Sequence, residues 1–425
     1  MKTPAKKPRA RREKVSAVTT DASPTKTAIK VLRAGQSWHG GTHAWSLPTQ
    51  RPDGTWEPGE WTPRRSPTMT ADGHPFDRVP RGWHLTRDPV AWWGDGPDVV
   101  AYLAEYDGTC AEHEGKVAVE RCRLLRALTH AELAAHGIYL SGEHAQIDKG
   151  VVWVGGSATV LWVGGSATVQ RVGGSATVLW VGGSATVREV CDSATVREVC
   201  DSATVLWVGG SATVREVGGS ATVREVGGSA TVREVGGSAT VQRVGGSATV
   251  QRVGGSATVQ RVCDSATVQW VCDSATVREV CDSATVREVG DSATVREVCD
   301  SATVQRVCDS ATVQRVGGSA TVQRVGGSAT VQRVGGSATV QWVCDSATVQ
   351  RVCDSATVHA TMDAVVVVRQ GYTVSRPVVT VQGRASVLDY RQGRPVHHLA
   401  DDGHILALAS DGTTSQAPIG AGGAR

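Results

Sequence analysis

Nine of the eleven cysteines fall at one position of a nine-residue unit: Cys191, Cys200, Cys263, Cys272, Cys281, Cys299, Cys308, Cys344 and Cys353. Each is followed by Asp, and a tenth Asp, Asp291, follows Gly290 at the same place. Stacked thiols could form disulfides or hold a soft metal, and the Gly-Gly of the other copies invites comparison with calcium-binding nonapeptides. The calcium comparison fails on alignment. Set on its glycines, the unit reads G-G-S-A-T-V-Q-R-V, with Val where the ligating Asp is required. The Asp that does occur follows the turn Cys or Gly, where an Asp side chain ordinarily bonds local backbone, and the Cys reads as a small corner residue replacing Gly. Outside the repeat, Cys110, His113, Cys122 and His130 supply four zinc-type ligands, but the order C-x2-H, C-x7-H matches no standard site. His84 and Glu105 are the residues there that could serve an acid–base reaction, although no nucleophile order, phosphate loop or paired carboxylates accompany them. No catalytic, cofactor-binding or metal-binding residue is therefore assigned, and no cofactor is expected.

The elements that carry these residues follow from the repeat. From Val154 to Ala360 one nonapeptide recurs 23 times without an insertion: Val, then Gly-Gly or Cys-Asp, then Ser-Ala-Thr-Val, then a variable pair. We number its positions 1 to 9 from that Val. Units this small cannot bury an apolar side alone and must stack on one another, which makes a solenoid. A Gly pair would cost a helix about 2 kcal/mol per unit, and Val and Thr favour strands. S-A-T-V is read as the strand and Gly-Gly or Cys-Asp as the bend. Nine residues are too short to circle an interior, so two copies make each coil and copy n lies on copy n + 2. The odd repeat requires a break in the in/out alternation, placed at the bend. The preferred register points Ala158 and Val160 inward and Ser157 and Thr159 outward, with the reverse register open.

The reading is mainly β: a disordered basic arm (1–29), a small α+β domain (30–150), the β-solenoid (154–360), a β cap (361–409) and a disordered tail (410–425). In the small domain Asp88-Pro89 is expected to start a short helix, 99–105 and 116–125 to be strands, and Thr129-His-Ala-Glu132 to be a capping box opening a helix that stops at Gly137. With one Phe, five Tyr and three Met in 425 residues, a core of large side chains is excluded. A net charge of +3 argues against a surface devoted to nucleic acid, and no apolar run approaches a membrane span. Nucleic-acid contact is expected only weakly, through the basic arm. Without a signal sequence the expected location is cytoplasmic or virion-associated, with free thiols.

The residues Gly82-Trp-His-Leu-Thr-Arg-Asp-Pro89, Ala101-Tyr-Leu-Ala-Glu105 and Lys116-Val-Ala-Val-Glu-Arg-Cys-Arg-Leu-Leu125 resemble an uncharacterised domain of phage and actinobacterial proteins, some of which carry nonapeptide repeats behind it. The resemblance covers about a quarter of the chain and implies a phage or prophage association without an activity. Together these features point to a non-enzymatic repeat scaffold or spacer that binds a protein or surface partner. Its alternatives are binding of an ordered, ice-like surface or a ligand by a Ser-x-Thr face, and an enzyme activity in residues 30–150.

Overall fold

The computed structural model describes residues 26–37, 43–65, 82–94, 98–113, 115–368, 377–382, 384–390, 396–399, 404–408 and 414–418. The chain divides into two compact units, Met1–Ile138 and Tyr139–Arg425.

In the second unit the strand of each copy is T-V-x-x-V, as in Thr159–Val163. It pairs in parallel with the strand one coil on, Thr159 with Thr177 and Val160 with Val178. Two sheets of 16 strands result, the first running from Ile138–Tyr139 and the second from Glu143–Ile147. Eighteen residues per coil is thus the observed arrangement, and the fold is mainly β. Ala158, Val160 and Val163 are fully buried, and their equivalents recur in every copy. The interior is the Ala-and-Val register preferred from sequence, with the Val of position 1 added.

Two local expectations are corrected. Ser belongs to the turn and not to the strand, because the residue before it adopts a left-handed φ of 50° to 64° in every copy. Only Gly or Asp occupies that place, and the Ala158 N–H closes the turn onto the Gly155 carbonyl at 3.1 Å. The in/out alternation also breaks a second time, inside the strand. Both variable residues lie outside the core between two inward Val residues, and the register passes from Val160 directly to Trp162.

The solenoid is longer than the strict repeat. Glu143 pairs with Thr159 and Val151 with Thr168, so residues 139–153 form its opening and do not belong to the preceding domain. Ile147, Val152 and Val154 provide the inward apolar side chains, and Gly142 and Gly150 the left-handed turns. At the other end Val365–Val368, Val378–Gln382 and Ser386–Asp389, expected as cap, stack in parallel as further coils. The cap is antiparallel: Val396–Leu399, His404–Leu408 and Thr414–Pro418, the last from the tail expected to be disordered. Reversed strands cover the last parallel edges, which would otherwise template further pairing.

In the first unit β1 (Lys26–Arg33), β2 (Trp83–Thr86), β3 (Val99–His113) and β4 (Lys116–Ala127) are all antiparallel, and their pairings close into a ring, β1–β2–β4–β3–β1. Its interior holds Leu32, Trp45, Trp83, Leu85, Tyr106 and Leu124. Strand β1 takes in residues 26–29, assigned from sequence to the arm; residues 1–25 lie outside the described set. The predicted capping box is present: Thr129 accepts from the Glu132 N–H and opens α1 (His130–Ala135). The helix expected after Asp88 is a single 3-10 turn, Val90–Trp92, with no side-chain cap.

Candidate functional site

Because the solenoid interior is the same in every copy, its chemical variety lies in the corners and in the outward variable pair. In the Cys-Asp corners the Asp tolerates the left-handed turn, and its carboxylate accepts a backbone N–H from the coil below. Gly174 donates to Asp192 at 2.8 Å, Gly246 to Asp264 at 2.9 Å and Gly255 to Asp273 at 2.8 Å. These bonds hold the three carboxyls below their ordinary range. The neighbouring thiol donates to the carbonyl of position 1 in the coil below, as Cys263 does to Val244 at 3.6 Å. Arg Nε atoms cover the sulfur: Arg243 reaches Cys263 at 3.2 Å.

Burial pushes the Cys281 thiol up to about 11 and the Cys299 thiol up to about 12. In the column Cys263–Cys281–Cys299 each thiol already donates to a Val carbonyl of the coil below. All eleven cysteines are free. Among the described residues, Cys263 with Asp264 and Asp282, and Cys272 with Asp273 and Asp291, bring three ligand-type atoms within 4.8 Å. In each set the carboxylates already accept backbone N–H groups of the coil below, and the thiol donates to a Val carbonyl.

The variable pairs form two outward columns on each sheet. On the second sheet, position 9 reads Trp180, Glu198, Glu216, Glu234, Arg252 and Trp270, stacked in register. A shallow trough of about 560 Å³ runs over them between Trp180 and Trp270, beside Arg197, Arg215 and Arg233. Trp180 is 43% exposed, Trp270 57% and Trp342 58%, all on this sheet; the first sheet shows Trp207 at 36%. The Ser and Thr expected to share a flat face do not share a strand. Ser is on the exposed turn, and Thr, half-buried, begins the strand.

In the first unit the nominated residues are not brought together. Glu105 is bound by Arg123 on β4, whereas His84 on β2 pairs with Ala118, and no bond joins His84 to Glu105. The four zinc-type ligands are also dispersed. Cys122 is buried in the ring with Thr62 as its partner, Cys110 is half-buried beside the core, and His130 opens α1. His113 ends β3, and its side chain lies outside the described set.

What sequence reasoning missed is Lys30, on the inward face of β1 between Ala28 and Leu32. Its Nζ donates to the His84 carbonyl at 3.0 Å and stands 4.7 Å from the Trp45 ring. Burial lowers its pKa from 10.5 to about 8, and burial raises the Cys122 thiol to about 12. The signal was present as the alternation Ala28-x-Lys30-x-Leu32, but a lysine on an inward face is read only once the neighbouring strands are known. No protein-family model, curated protein or solved structure matches this chain.

Proposed function

We propose that the chain is a non-enzymatic scaffold or spacer whose solenoid presents outward side chains to a protein or surface partner. The observation that carries this reading is the division of labour within the repeat. Positions 1, 5 and 7 are invariant and buried in all 23 copies, while the variable chemistry stands in the corners and in two outward columns. An invariant interior fixes spacing, and the outward pair can change without touching it. The aromatic residues among those pairs are of the kind favoured at interfaces. The phage or prophage setting rests on the G-W-H-L resemblance in residues 82–89, and attachment in the cytoplasm or on a virion belongs to the same proposal. No helix of the described residues is long and apolar enough to cross a membrane.

Site-specific photo-crosslinking of the full chain tests the proposal. A photoreactive residue is placed at outward solenoid positions (Gln251, Gln305, Arg188) or at exposed positions of the first unit (Glu57, Arg87), and the chain is irradiated in lysate of its host. Adducts to a defined partner from the solenoid positions are expected. Adducts from the first unit alone would overturn the reading.

A further inference from the structure

We propose that the outward face of the second sheet is a self-association surface, on which two copies of this chain pack with their solenoid axes parallel. The proposal deepens the scaffold reading by naming the partner as a second copy. It starts from an electrostatic imbalance between the two faces. On the first sheet every Glu of a variable pair has an Arg one coil away: Arg171 with Glu189, Arg243 with Glu225, Arg261 with Glu279 and Arg315 with Glu297. On the second sheet Glu234 and Glu288 have such partners, Arg252 and Arg306, but Glu198 and Glu216 do not. Among the described residues Glu198 accepts only from the Trp180 indole, at 2.6 Å. Arg197, Arg215, Arg233 and Glu216 make no ion pair with any described residue.

This face therefore presents a column of three stacked Glu residues beside a column of three stacked Arg residues, at a spacing of about 4.8 Å. Like charges in direct register destabilise a sheet unless something opposite compensates them. A second copy related by a two-fold axis parallel to the solenoid and midway between the columns does so. It sets position 8 of each rung against position 9 of the partner. Arg197 then faces Glu198 of the second copy, Arg215 faces Glu216, Arg233 faces Glu234 and Arg287 faces Glu288, each contact made twice by symmetry. No rung sets like charges against each other, since the remaining pairs are Leu-Trp, Gln-Trp, Gln-Arg and, in the last copy, His-Ala. The exposed Trp180, Trp270 and Trp342 are covered in the same packing.

A face about 50 Å long and about 17 Å wide buries about 800 Å² per partner, the size of an ordinary stable interface. An antiparallel arrangement opposes position 9 to position 9 and sets Glu234 or its neighbours against like charges in most registers.

The test uses the full chain and two charge variants, with mass measured by light scattering and sedimentation. The first variant carries Glu198→Arg, Glu216→Arg and Glu234→Arg; the second carries Arg197→Glu, Arg215→Glu and Arg233→Glu. The unmodified chain is expected to dimerise at micromolar concentration, more weakly at 0.5 M salt. Each variant alone is expected to dissociate at least tenfold more readily, and an equimolar mixture of the two to re-form a dimer. A control with Glu189→Arg and Glu225→Arg on the first sheet should leave the dimer intact. If a charge variant loses its β circular dichroism, Trp270→Ser with Trp342→Ser takes its place, with the same weakening expected. A monomeric unmodified chain, a dimer indifferent to the variants, or variants that fail to pair when mixed would each overturn the proposal. A monomer that still cross-links a host protein from the solenoid positions leaves the scaffold reading standing and removes only the dimer.

Discussion

At the scale of single residues, Lys30 is where folding works against a charge. Its ammonium stands over the Trp45 ring, donates to the His84 carbonyl and lies near the Cys122 thiol, and burial lowers its pKa to about 8 from 10.5. Between those two values the unfolded chain binds more protons than the folded one, so folding stability rises with pH across that window. The shift corresponds to at most about 3 kcal/mol. Cys122 acts in the opposite sense. Its thiol stays protonated up to about 12 when folded but ionises from about 9 when unfolded, which costs stability above pH 9. The first unit should therefore gain stability from pH 8 to 9 and level off or decline beyond. Lys30→Met should be more stable than the parent at pH 7 and show no rise. Urea unfolding read by the near-UV signal of the buried Trp residues checks this; a rise retained in Lys30→Met would assign it to another group.

At the scale of the element, the corner is the demanding part of the repeat. Its third position has a left-handed φ in every copy, +57° at Asp264. Asp264→Gly loses the carboxylate's bonds to the exposed Gly246 N–H, to the exposed Arg243 and to the Cys263 thiol but relaxes the left-handed φ, and should change stability by less than about 1 kcal/mol. A β-branched residue has no comfortable left-handed well, and Asp264→Val should cost about 2 kcal/mol. Thermal unfolding with hydrogen exchange at the Gly246 and Asp264 amides distinguishes the two; equal effects of Gly and Val would mean that φ is not what selects the residue. The same corner explains why Cys and Asp occur together in nine copies. The Asp anchors the turn below, and the Cys fills the space beside it with a thiol that bonds the carbonyl of position 1.

At the scale of the molecule, stacked units make stability nearly a sum over neighbours. Deleting eighteen residues, such as 243–260, removes one coil and returns every later side chain to its own sheet. Deleting nine, such as 243–251, also preserves the interior, because both sheets bury the same Val, Ala and Val. It transfers every later outward pair to the opposite sheet, however. Both deletions should unfold within a few degrees of the parent, whereas the nine-residue deletion alone should break the continuity of the Trp180-to-Trp342 face. Cross-linking by a bifunctional thiol reagent between cysteines engineered at positions 233 and 287, three coils or about 14 Å apart in the parent and on one sheet only there and in the eighteen-residue deletion, reads the difference. Retention of that cross-link after a nine-residue deletion would contradict two copies per coil.

Much of this molecule is determined locally. The nine-residue period, the lack of large side chains and the alternating Ala and Val of each copy specify a stacked β coil with a small-residue interior, because neighbouring copies are identical and any pairing two units apart satisfies them equally. The capping box at Thr129 was legible for the same reason: its partners lie three residues apart. Other features depend on contacts distant in sequence. The placement of Ser on the turn is the exception, a local effect of the left-handed residue immediately before it. The first and last coils were hidden because Glu143–Ile147 and Val378–Gln382 depart from the repeat and are recognised only through the strands they pair with. The burial of Lys30 required β1 to close against β2 and β3, and the separation of His84 from Glu105 required the same ring. The difference between the two faces is likewise tertiary: the sequence contains the Arg-Glu pairs, but only coiling sorts alternate copies onto opposite sheets and leaves Glu198 and Glu216, among the described residues, without an ion pair to an arginine one coil away.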